Sequence, residues 1–212
     1  MKLNSFFDEV FSNVSYICFS KNYTQEIFGV AMTLFHYYTY FKSFNEYDRC
    51  EIAVSCVFLA CKIEFSFLKA DEAKQIFLEI KKSQTGRISN INPDLTKFEV
   101  DILSFVGYDM DIKTPHKYFY TYFQKNLPNH LRDPKFCNIG MKIINDAFRT
   151  NLCIFFPPKY IAIGAIFLSL KLSSEEDYTV KMLATWDQSI NLDFLILCVE
   201  SMMGIFENRL NK

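Results

Sequence analysis

Side chains that could hold a metal, a phosphate or a reacting bond are sparse in this sequence, and their spacing does not combine them. His36, His116 and His130 are the three histidines, and they fall on separate expected elements at no ligand spacing. No glycine-rich phosphate loop, HExxH or GxSxG string occurs. The acidic triplet Glu175-Glu176-Asp177 has no second acidic cluster to face it and reads as a solvated turn between helices. The seven cysteines are odd in number, several sit inside apolar runs, and none forms a CxxC pair, so they read as reduced core residues. No catalytic residue, metal site or cofactor follows from these groups. Two charged residues stand out for another kind of chemistry, the binding of a protein segment. Lys62 closes a long apolar run, and Glu99 flanks the apolar stripe of an expected helix with Leu103 four residues on. A lysine in a last helical turn also complements the helix dipole, and a lone glutamate is commonly solvated. The residue types alone leave both readings open.

The elements that would carry these residues are helical. Only six glycines occur, each isolated, and the six prolines mostly stand where helices would begin. Asn92-Pro93, Thr114-Pro115 and Asp133-Pro134 each place a capping side chain before a proline, and Asp48 with Glu51 resembles a capping box. The pattern predicts an all-α fold with helices near 3–19, 24–41, 48–64, 69–82, 93–106, 115–126, 134–152, 158–172, 178–186 and 191–210. Leu3, Phe6, Phe7, Val10, Phe11, Val14 and Ile17 recur at helical spacing, so the first helix is amphipathic and expected to pack internally. Leu127–Asp133 reads as the linker between halves.

At 212 residues the chain suits one large domain or two small ones. An internal repeat favours two. Ile52-Ala-Val-Ser-Cys-Val-Phe-Leu-Ala-Cys-Lys62 matches Ile161-Ala-Ile-Gly-Ala-Ile-Phe-Leu-Ser-Leu-Lys171 without gaps, with five of eleven positions identical. Both segments are apolar around nearly the whole helix, so each must be surrounded by other helices. Half of the residues are hydrophobic, which excludes disorder, and 23 basic against 24 acidic side chains leave no electrostatic footprint for nucleic acid. Asp8 and Glu9 interrupt any signal-like run, and the longest apolar stretch, Ile161 to Leu168, is too short for a bilayer. A soluble intracellular protein is expected, with no membrane and no direct nucleic-acid partner.

Phe44, Arg49, Ala53 and the run Phe58-Leu-Ala-Cys-Lys-Ile-Glu64 resemble the cyclin box. Lys97-Phe-Glu99, Ile102-Leu103, Gly107-Tyr108-Asp109 and Thr114-Pro115-His116 are similar to the next cyclin signature, in the same order and spacing. Asn145-Asp146, Arg149-Thr150, Pro157-Pro158 and Ile161-Ala162 resemble the second fold of the transcription-associated cyclins of C, K, L and T type. The resemblance implies two tandem cyclin-like five-helix bundles, the second shortened, after an N-terminal helical segment. The expected boundaries are 1–23 for that segment, 24–127 for the first fold and 133–212 for the second.

The resemblance also implies a nuclear regulatory subunit with no catalytic activity, bound as a heterodimer to a cyclin-dependent kinase that phosphorylates the RNA polymerase II C-terminal domain. It assigns kinase binding to Lys62 and Glu99, flanked by Leu59, Ile63, Leu103 and Tyr108 as apolar contacts. The rival reading is a general transcription factor resembling initiation factor B, binding DNA and basal transcription proteins. That reading requires an excess of lysine and arginine and usually a zinc ribbon, neither of which the sequence shows.

Overall fold

The computed structural model describes residues 2–41, 48–86, 93–175 and 177–210, and all regular structure among them is helical. Contacts divide the chain into two compact units, Met1–Ile112 and Lys113–Lys212. No helix among the described residues is long and apolar enough to cross a membrane.

The first unit holds α1 (Lys2–Ser20), α2 (Gln25–Phe41), α3 (Arg49–Ile63), α4 (Ala70–Thr85) and α5 (Leu95–Phe105). Helix α3 is its hub. Cys50 and every residue from Ile52 to Cys61 are buried, because α1, α2, α4 and α5 all pack on it. A helix that is apolar on every side can be stable in water only in such a position. The hub begins at Asp48, whose carboxylate accepts from the backbone N–H groups of Cys50 at 2.9 Å and Glu51 at 3.2 Å and also pairs with Lys81. The expected reciprocal half of the capping box does not form. Glu51 instead accepts from the backbone N–H of Asp94 at 3.0 Å, which ties α5 to the hub, and burial pushes the Glu51 carboxyl above its ordinary range. Asp94 rather than Asn92 caps α5, accepting from Lys97 N–H at 3.1 Å; Asn92, like Phe44, lies outside the described residues.

Removing the side chain that starts the hub tests this account. Asp48→Ala should cost about 1–2 kcal/mol in chemical denaturation, whereas Asp48→Asn, which keeps a capping oxygen, should lose a smaller part of that.

The second unit repeats the arrangement with α6 (Pro115–Lys125), α7 (Pro134–Ala147), a single turn α8 (Leu152–Phe155), α9 (Pro158–Leu172), α10 (Val180–Ala184) and α11 (Leu192–Leu210), plus a 3-10 turn at Asn129–Leu131. Its hub is α9, flanked by α6, α7, α10 and α11 as α3 is by its neighbours. Asp133 caps α7 through Phe136 N–H at 2.6 Å. His116 stacks on Phe148 and meets Asn145 at 2.9 Å, and Tyr122 donates to Asp187 at 3.0 Å.

Two expected boundaries differ from these units. Segment 1–23 is no appendage, since α1 buries Phe6, Val10, Phe11, Val14 and Ile17 and supplies one of the five helices. The division falls after Ile112 and not within Leu127–Asp133, because α6 packs its buried Pro115, His116, Phe119 and Tyr122 into the second unit. Counted this way, the shortening of the second bundle is greatest at α10, which has 5 residues where α4 has 16. The expected helix 134–152 also ends early, at Ala147, before the separate turn of α8.

All seven cysteines are free thiols, and five of them are buried. Burial pushes the Cys18 and Cys198 thiols up to about 12 and Cys61 up to about 11. Since the thiolate is the reactive form, iodoacetamide at pH 8 should label these three at least tenfold more slowly in the native protein than in guanidinium, as read by mass spectrometry. Equal rates would show that these sites open readily.

Candidate protein-binding ridge

The hub helix α3 stays buried until its last turn and there emerges. Cys61 is 1% exposed, and the next two residues reach solvent. The Lys62 ammonium lies 2.7 Å from both carboxylate oxygens of Glu99 on α5 and 4.3 Å from the centroid of the Phe58 ring. Residues 37 positions apart in the chain thus form one surface pair. The lysine side chain is 45% exposed and the glutamate 19%. A pair this accessible contributes at most about 1 kcal/mol to folding, so stability gives weak reason for it. An ammonium carries three donors and a carboxylate about four acceptor sites. After their mutual bonds the pair can still donate to carbonyls and accept from N–H groups of an incoming chain.

Ile63 and Leu103 are half-buried. Their helix ends are both closed by left-handed residues. Beyond α3, Phe65 has φ +52°, and the N–H of Ser66 bonds the Cys61 carbonyl at 2.8 Å. Beyond α5, Gly107 and Tyr108 have φ of +63° and +58°, and the N–H of Tyr108 bonds the Leu103 carbonyl at 2.8 Å. That turn leaves Tyr108 exposed.

Of the six residues expected at the surface, five reach it. Leu59 does not: it is wholly buried, and its expected role as an apolar contact is corrected to that of a core residue beneath the ridge. The four-residue spacing to Ile63 put both on one helix side, but only the final turn of α3 extends past the surrounding helices. Sequence reasoning also passed over Phe65 and Phe67, both strongly exposed just beyond the ridge, and Val100 beside Glu99. A phenylalanine between two helices ordinarily signals core, and no periodicity covers a connector this short. Among the described residues no group of three or more His, Cys, Asp or Glu side chains is placed to hold a metal ion.

Residues 12–111 match the family model described as cyclin, N-terminal domain. Over most of its first unit the chain is thus similar to the cyclin family. The matched segment starts within α1 and runs past α5, so it covers most of the first unit and includes the whole ridge. Among individual relatives, cyclin-L1-1 of Oryza sativa is 25% identical over 158 residues, covering 69% of this chain and 36% of that protein. Human cyclin-L1 is 26% identical over 157 residues, covering 69% of this chain and 30% of that protein. The matched part of this chain therefore spans about a third of those relatives' length. In three dimensions it resembles a chain in the yeast RNA Pol II CTD kinase CTDK-1 complex, with TM-score 0.82, 17% identity, and coverage of 99% of this chain and 68% of that one. The fold is thus the cyclin fold, and these two relatives matched by sequence are cyclins of the L type.

Proposed function

We propose that this chain is a cyclin, a regulatory subunit that binds and activates a cyclin-dependent protein kinase as a heterodimer, acting in the nucleus on the C-terminal domain of RNA polymerase II. The observation that carries this reading is the surface Lys62–Glu99 pair, with half-buried Ile63 next to the lysine on α3 and half-buried Leu103 one turn beyond the glutamate on α5. It is supported by the likeness to a chain of a polymerase II C-terminal domain kinase complex and by kinship with cyclin-L1.

A protein kinase works when a lysine on a strand and a glutamate on its mobile helix form an ion pair that orients ATP. A rigid surface that binds only the inward pose of that helix shifts the equilibrium toward it. Moving such a switch from 1:99 to 99:1 takes about 5.5 kcal/mol of differential binding, within reach of a standard interface of about 1,600 Å². Lys62 supplies donors for carbonyls at the end of the kinase helix, Glu99 supplies acceptors, and Ile63, Leu103 and Tyr108 supply the apolar surround. No chemistry is required of the cyclin itself.

The test is purification of the tagged protein from its native cells, identification of co-eluting kinases, and assay of the complex on a polymerase-tail peptide. Co-elution of a cyclin-dependent kinase whose tail phosphorylation rises at least tenfold with the cyclin present is the expected result. A preparation that contains no protein kinase, or a bound kinase whose activity is unchanged, would overturn the proposal.

A further inference from the structure

Three phenylalanines beside the ridge are exposed to a degree that packing does not explain: Phe65 at 98%, Phe19 at 89% and Phe67 at 75%. They flank one junction. The N–H of Tyr23 in the α1–α2 turn bonds the Cys18 carbonyl at 2.9 Å, its hydroxyl donates to the Phe67 carbonyl at 3.3 Å, and Lys21 pairs with Glu72 at 2.5 Å. These links hold the end of α1 against the α3–α4 connector. Phe65 follows Ile63 by two residues, so the aromatic surface continues the ridge.

We infer that Phe65, with Phe67 and Phe19, is an aromatic extension of the ridge that inserts into an apolar pocket on the same kinase and supplies much of the affinity; this rests on the reading of the ridge given above. The backbone carries the argument. At φ +52° a bulky L residue is strained where glycine is not. The second unit provides an internal control. Ser174 occupies the equivalent turn at φ +62°, closed by the same bond from the N–H of Glu175 to the Leu170 carbonyl at 3.0 Å. The turn therefore forms with a small polar residue, and the ring of Phe65 is not needed to build it. Strain retained under an almost fully exposed ring points to a use outside the chain.

Size and charge name the occupant. Three phenylalanines this exposed present roughly 500 Å² of apolar surface, as large as the greatest patch on most monomers. With the ridge they approach the roughly 800 Å² that one partner contributes to a standard complex. The Lys62 carbonyl accepts from the Phe65 N–H at 3.4 Å, which seats the lysine at the edge of this surface, and the Lys69 ammonium is 5.8 Å from the Phe67 ring centroid. An apolar pocket edged by carbonyl or carboxylate oxygens complements that rim, whereas a two-fold contact with a second copy would set its lysines against each other.

The experiment uses the full chain and the co-purified kinase, with Phe65→Gly, Phe65→Ser and Phe67→Ala measured for thermal midpoint and for kinase Kd. Phe65→Gly is expected to hold or raise the midpoint while weakening binding at least tenfold, with Phe65→Ser weakening it similarly and Phe67→Ala by a smaller factor. Unchanged Kd for all three, while Lys62→Ala weakens binding, overturns the inference and leaves the ridge reading standing. Wild-type chain that binds no kinase overturns both. A lowered midpoint in all three variants makes the rings folding elements and overturns the inference. So does a dimer in sedimentation velocity that Phe65→Gly dissolves.

Discussion

Exchanging the two charges of the ridge, Lys62→Glu together with Glu99→Lys, should leave the fold intact and weaken kinase binding by about 30-fold or more. The exchanged pair can still form across α3 and α5, and its contribution to stability is small in either direction because the lysine position is nearly half exposed. The unfolding free energy should therefore change by no more than about 1 kcal/mol, most of it from a carboxylate placed in the last turn of α3. Toward a partner the exchange is not neutral. Donors would meet donors and carboxylate would face carbonyl, and mispaired charges of this kind cost about 2–5 kcal/mol at an interface. Isothermal titration with the kinase and a chemical denaturation curve give the two numbers. Binding that survives the exchange with unchanged Kd would remove the ridge from the mechanism, whereas loss of binding together with loss of stability would make the pair structural.

The second large effect concerns folding. Gly140 on α7 lies against the wholly buried ring of Phe119, so a Cβ at this position would sit 2.1 Å from the ring Cζ and 2.2 Å from Cε2. The ring cannot withdraw easily, since it stacks on Phe123 and meets Tyr120 edge-on. Gly140→Ala is therefore expected to destabilise the second unit by about 3 kcal/mol, a fall of about 12–24 °C in the midpoint of a unit this size. Gly164→Ala provides the contrast, because its Cβ would approach only the flexible Met202 Sδ at 2.8 Å, and the side chain can move. Differential scanning calorimetry should show the larger drop for Gly140→Ala, partly restored by adding Phe119→Leu. Equal small effects would mean that the close approach of α6 and α7 relaxes without cost.

Helical content and the two hubs were readable from the residues because their signals are local. A run that is apolar around the whole circumference can only be central, and its recurrence 109 positions later marks the second unit. The boundary was not readable. Leu127–Asp133 has the proline and asparagine of a linker, while the true division passes just before Thr114-Pro115, whose proline starts a helix. The stripe of α6 shows that the helix is buried on one side but not in which bundle. The same limit governs the ridge. Lys62 and Glu99 could be singled out by resemblance, yet nothing local says that 37 residues of chain return the carboxylate to the ammonium. Leu59 was misread because a hub helix has no polar face from which to count inward. Phe65 was passed over because neither its backbone angle nor its exposure leaves any trace in composition.

The order of helices around each hub has a consequence for synthesis. Helices α1 and α2 precede α3, and α6 and α7 precede α9, so the two major walls of each core leave the ribosome before the segment they must cover. A nascent segment with no hydrophilic side is a hazard for as long as it stays uncovered. Here it emerges toward walls already made, and only the closing helices are still to come.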